Sequence, residues 1–68
     1  MTNAAKVREL ISDLRRAGFG LDRQAGSHRQ FKHSRFPGAL TVSGREGDDA
    51  KPYQERQVRT AIQRVQNQ

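Results

Sequence analysis

With 68 residues, 13 Lys and Arg against 7 Asp and Glu, and no cysteine, the chain has a formal charge of +6. That length holds one domain at most, expected over residues 1–68, with no room for a deep cofactor pocket, and the missing cysteines exclude a disulfide framework or a thiolate metal site. No apolar run approaches the roughly 20 residues of a membrane span, and Lys6, Arg8 and Glu9 interrupt any signal-peptide core, so the expected setting is the cytoplasm, away from membranes.

Val7, Leu10, Ile11 and Leu14 fall at i, i+3, i+4 and i+7, one stripe of an amphipathic helix. Thr2 or Asn3 is placed to cap it, Arg15 and Arg16 suit its negative end, and Gly18 stops it, predicting a helix over about residues 3–17. Residues 19–24 read as a short strand with Phe19 and Leu21 on one face. Ala25-Gly26-Ser27 signals a turn, and a second strand covers residues 28–33. The stretch 34–38 is expected to be a loop closed by a type II turn on Pro37-Gly38, with Phe36 either exposed for stacking or covering the core edge. A third strand over residues 39–43 alternates at Leu40 and Val42, and the polar stretch 44–51, acidic at Asp48-Asp49, reads as a loop. Tyr53, Val58, Ala61, Ile62 and Val65 restore the helical period, with Pro52 suited to the entry of a helix that runs to about Gln66.

The order is α-β-β-β-α: an α+β fold with a three-stranded antiparallel sheet and two helices on one face. Its expected core is Val7, Leu10, Ile11, Leu14, Phe19, Leu21, Phe31, Leu40, Val42, Tyr53, Val58, Ile62 and Val65.

Charge is distributed unevenly. Residues 1–22 sum to +1 (four cations, three acids) and residues 46–68 to zero (four of each). Residues 23–45 carry Arg23, Arg29, Lys32, Arg35 and Arg45 with no acid, so this block holds most of the excess. A localised positive field attracts polyanions, because neutralising phosphates releases condensed counterions. A histidine inside that field can transfer protons near neutral pH.

Alternation places Arg29, Phe31 and His33 on one face of the second strand and His28, Gln30 and Lys32 on the other. Phe31 is the large apolar residue of the strand, so its face meets the helices and His28 points to solvent. An exposed imidazole beside cations suits RNA cleavage, which needs a base for the 2′-hydroxyl, an acid for the leaving oxygen and cations on the phosphate. DNA lacks the 2′-hydroxyl, so this machinery without metal acts on RNA. Composition and spacing leave the alternative that His28 is a polar residue flanking a turn. His33 stands on the opposite face, cannot share a metal with His28, and reads as structural.

Gly26-Ser27-His28, then Phe31-Lys32-His33, Pro37-Gly38 and Leu40-Thr41-Val42, together with Ala17-Gly18-Phe19 and Val58-Arg59-Thr60-Ala61-Ile62, resemble the HicA family of small bacterial toxins. The resemblance implies a fold like the double-stranded-RNA-binding domain. It also implies an endoribonuclease acting on mRNA within a type II toxin–antitoxin pair, with a HicB-like antitoxin as protein partner. It places the family's catalytic histidine at His28; from the residues themselves no cofactor and no metal are expected. Lys32, Arg29 and Arg35 are then expected at phosphates, with service to the fold rather than the substrate as the alternative for Arg29; Gly26 is expected in the tight turn, and Ser27 orienting the imidazole or a phosphate. Many relatives carry a further histidine after the third strand, where this chain reads Ser43-Gly44-Arg45. The competing reading is a non-catalytic RNA-binding module that recognises duplex shape.

Overall fold

The computed structural model describes residues 5–67. The elements are α1 (Val7–Arg16), β1 (Gly20–Ala25), β2 (His28–His33), β3 (Phe36–Ser43) and α2 (Pro52–Gln66), in the order α-β-β-β-α. The strands form an antiparallel sheet in the order β1-β2-β3, with β1 and β3 at its edges. Arg29 and Phe31 of β2 and Leu40 and Val42 of β3 are buried, whereas Gln30, Lys32 and Thr41 between them are exposed. Both helices therefore cover one face, where Val7, Leu10, Ile11 and Leu14 of α1 meet Val58, Ala61 and Val65 of α2. Among the described residues no helix is long and apolar enough to cross a membrane.

The first helix begins later than its sequence pattern suggests. Ala5 and Lys6 precede it, Lys6 in an extended conformation at the N-cap, while Thr2 and Asn3 lie outside the described residues. A helix leaves its first four N–H groups without internal partners. Here the Val7 and Arg8 N–H groups donate to the carbonyls of Asp48 (2.9 Å) and Glu46 (3.1 Å), and Lys6 N–H donates to Glu9 Oε1 (2.7 Å). Ala50 N–H to the Ala5 carbonyl (2.7 Å) and the Lys6 Nζ–Asp49 Oδ1 pair (2.6 Å) complete this seam. Contacts with α1 thus hold the acidic 44–51 loop in place.

Two irregularities reshape the sheet. Between β1 and β2 the register shifts at Asp22: Leu21 pairs with Phe31, but Arg23 pairs with Gln30. Between β2 and β3, His33 pairs with Phe36 while Phe31 pairs with Leu40, so β3 carries two extra residues there. The expected type II turn on Pro37-Gly38 is therefore corrected. The chain reverses at Ser34-Arg35, and the Pro-Gly pair forms a bulge inside β3, with Gly38 at φ +72°. Proline has no N–H for a sheet ladder and glycine accepts positive φ, so the pair suits a bulged edge strand.

Three expectations for the core also change. Leu21 is 44% exposed, because β1 lies at the sheet edge and all its residues are exposed. Tyr53 is 46% exposed, and Ile62 is only half-buried. Ala50 and Gln54 are buried instead. Phe36 covers the core edge, its ring edge-on to Phe19 at 5.6 Å. Phe31 is fully buried at the centre of the sheet, so Phe31→Ala is expected to cost about 3–5 kcal/mol in denaturant unfolding.

Candidate functional site

His28 opens β2 and projects from the face that the helices leave bare. Pairing places Ala25 of β1 on one side of it and Ser43 of β3 on the other. Its Nδ1 lies 2.8 Å from Ser43 Oγ, and Nε2 has no hydrogen-bond partner among the described residues. A hydroxyl both donates and accepts. The same contact therefore holds the ring whether Nδ1 carries the proton or Nε2 does. Ser43 replaces Ser27 as the residue that orients the imidazole.

Ser43 is itself held from beneath. The carboxamide of Gln54, 4% exposed, satisfies both its ends when its oxygen accepts from Ser43 N–H (2.8 Å) and its nitrogen donates to the Ser43 carbonyl (3.1 Å). A buried amide left without those partners would cost about 1–3 kcal/mol. Gln54 thus fixes the backbone of the residue that fixes His28. Ser43→Ala should lower the rate of any His28-dependent reaction about three- to tenfold, the value of one net hydrogen bond, and leave ligand affinity unchanged. Single-turnover kinetics beside equilibrium binding separates the two.

Arg29 is buried at 8% exposure, on the core face as alternation requires. Its Nη1 donates to the carbonyls of Gly44 (2.8 Å) and Ser27 (3.3 Å), and Gly44 N–H donates to the Ser27 carbonyl (3.2 Å). The guanidinium therefore ties the β1–β2 turn to the exit of β3, on either side of His28. It faces inward, away from any ligand on the open sheet face. Gly26 forms that turn at φ +58°, where an added Cβ would meet nothing within 4 Å. Glycine is favoured here for its backbone conformation, since the left-handed region disfavours side chains by about 1–2 kcal/mol.

The other expected cations are spread along the sheet. Lys32 is exposed on the same face as His28, but four residues along β2 and so about 13 Å away at about 3.3 Å per residue. Although no acid follows it in sequence before Glu46, strand pairing brings Asp22 to 3.6 Å from its Nζ. Arg35 is exposed in the β2–β3 turn, at the far end of the strand from His28. His33 is structural as expected: its Nδ1 accepts from Arg35 N–H (2.9 Å) and its ring packs on Phe19 at 5.0 Å between centroids.

Two cations not assigned to the site from sequence line depressions that the imidazole also borders. Arg23 shares a shallow depression with His28 and Gln30, because the shift at Asp22 turns Arg23 onto the open face. Lys51 shares a second cleft, of about 350 Å³, with His28, Ser43 and Tyr53. Among the described residues no three His, Asp or Glu side chains group as a metal site would require.

A protein-family model, described as HicA toxin of bacterial toxin-antitoxin, matches residues 7–63, from the first residue of α1 into the last turns of α2. No curated protein and no solved structure matches the chain significantly. The match covers α1, the whole sheet, the His28 turn and most of α2, and the chain belongs to the HicA toxin family.

Proposed function

We propose that the chain is a metal-independent endoribonuclease, the toxin of a toxin–antitoxin pair, with His28 as its proton-transfer residue. The observation that carries this reading is the exposed imidazole held through Nδ1 by Ser43, on a sheet face that also carries Arg23 and Lys32. With Nδ1–H donating to Ser43 Oγ, Nε2 holds a lone pair and takes the proton of the 2′-hydroxyl. The 2′-oxygen then attacks the adjacent phosphorus, and the P–O5′ bond breaks. The departing 5′-oxygen takes its proton from solvent, to which the site is open. The products are a 2′,3′-cyclic phosphate and a 5′-hydroxyl.

Arg23 and Lys51 flank the imidazole and serve the phosphates nearest the cut, by charge and by position. Lys32 and Arg35 serve more distant phosphates along β2. The ion pair of Lys32 with Asp22 is exposed and long, the kind worth about 0–1 kcal/mol, so a phosphate can replace the carboxylate. Arg29 serves by holding the turn. The antitoxin expected from family membership would silence the toxin by covering the open face around His28.

The test is incubation of the native chain with a labelled mixed-sequence RNA in EDTA, with DNA of the same sequence alongside. RNA cleaved to cyclic-phosphate ends, with the DNA intact, is the expected result. RNA bound but left whole would transfer the chain to the non-catalytic RNA-binding reading.

A further inference from the structure

We infer that RNA crosses His28 as an unpaired strand and that Tyr53 stacks on the base of a nucleotide next to the cleaved phosphate. This rests on the ribonuclease reading and adds to it the form of the substrate and a subsite.

His28 borders two depressions, one shared with Arg23 and Gln30, the other with Ser43, Lys51 and Tyr53. A phosphate at Nε2 must lay its two flanking nucleosides across these depressions, one on each side. The second has the means to hold a base. Tyr53, whose helical spacing assigned it to the core, is 46% exposed and borders the cleft instead.

On its other flank the same tyrosine borders the open groove between β3 and α2. Arg56 and Arg64 line that groove and no acid does. The tyrosine thus stands where a strand leaving His28 would pass into a groove of matching charge. The acids of the His28 cleft are engaged elsewhere: Asp49 with Lys6 Nζ (2.6 Å), and Asp48 Oδ2 with Arg45 N–H (3.2 Å). Lys51 is the cation lining that cleft, beside the charge that Asp48 keeps.

An aromatic face at such a position selects an unpaired base. In a duplex the faces of the bases are already stacked on one another, and single-strand binders use exposed rings for this purpose. Any base has such a face, so the subsite favours an unpaired nucleotide over a paired one and does not choose strongly among sequences.

The test is single-turnover cleavage of a short unstructured RNA in which one base, on either side of the cut, is removed to leave an abasic ribose. For the native chain, an abasic site on one of the two sides should raise the half-saturating protein concentration about tenfold, within the range of base–aromatic stacking. Tyr53→Leu should show the same rise with intact RNA and no further rise with the abasic RNA, while Tyr53→Phe behaves as native. Denaturant unfolding of Tyr53→Leu should stay close to native, since the ring is half in solvent.

Equal abasic penalties in native and Tyr53→Leu would overturn the inference while leaving the ribonuclease reading intact. So would unchanged RNA kinetics in Tyr53→Leu, including the case where that variant has lost binding to an antitoxin and the surface is a protein-docking one. A native chain that cleaves no RNA would remove the ribonuclease reading and this inference with it.

Discussion

Replacing His28 with alanine should lower RNA cleavage about 10²–10⁴-fold, the usual contribution of one positioned acid–base group. The imidazole is exposed and makes one side-chain hydrogen bond, to Ser43, so the variant should unfold near the native midpoint and bind RNA with similar affinity. That combination is specific to a chemical role. A polar residue flanking a turn would leave cleavage unchanged, and a residue that served mainly to bind RNA would weaken affinity together with rate. Single-turnover rates, RNA affinity and a denaturation curve on the same preparations distinguish the three.

Arg29→Met should destabilise the fold by about 2–4 kcal/mol, because it removes a charged donor from the Gly44 and Ser27 carbonyls, the latter keeping the Gly44 N–H. The methionine keeps much of the buried stem, so the loss reports the guanidinium contacts. The same variant should leave the salt dependence of RNA binding unchanged per folded molecule, since a side chain directed at the Ser27 and Gly44 carbonyls contacts no phosphate. Lys32→Ala should do the reverse: near-native stability, and a salt slope lower by roughly 0.7–1, the loss of about one phosphate contact. A steep fall in salt slope for Arg29→Met would return that residue to the RNA surface.

These two arginine and histidine neighbours show how far local sequence reaches. Period-two alternation in β2 sorts His28, Gln30 and Lys32 to solvent and Arg29 and Phe31 to the core, and the structure agrees. It agrees for β3 as well, because the Pro37-Gly38 bulge adds two residues and leaves the parity of Leu40 and Val42 unchanged. The partner of His28, however, depends on the bulge. A regular hairpin extended from the His33–Phe36 pair would set Thr41 opposite His28, and the two extra residues set Ser43 there. The Pro37-Gly38 pair marks a break in the strand but not the size of the displacement, so the hydroxyl that orients the imidazole emerges only with the fold.

In β1 the opposite happens. The shift at Asp22 is a single residue, and a one-residue slip exchanges the faces of a strand. Alternation from Phe19 and Leu21 would turn Arg23 inward, whereas the structure pairs it with outward-facing Gln30. The end of the first helix is legible from Arg15, Arg16 and Gly18. Its start is less so, because carbonyls of the 44–51 loop receive its first N–H groups, and that pairing is long-range. Tyr53 keeps the helical period of α2 but lies near the helix start, where it borders the His28 cleft. Helical period alone does not distinguish that place from the core.

The central claim is that a single histidine, held by a serine on an open sheet face, cuts RNA without metal. The measurement that tests it most directly is single-turnover cleavage of one labelled RNA in EDTA by the native chain and by His28→Ala, with binding measured on both. Cleavage by the native chain, lost in the variant while binding persists, is the result this account predicts. Equal cleavage by both proteins, or none by either, would contradict it.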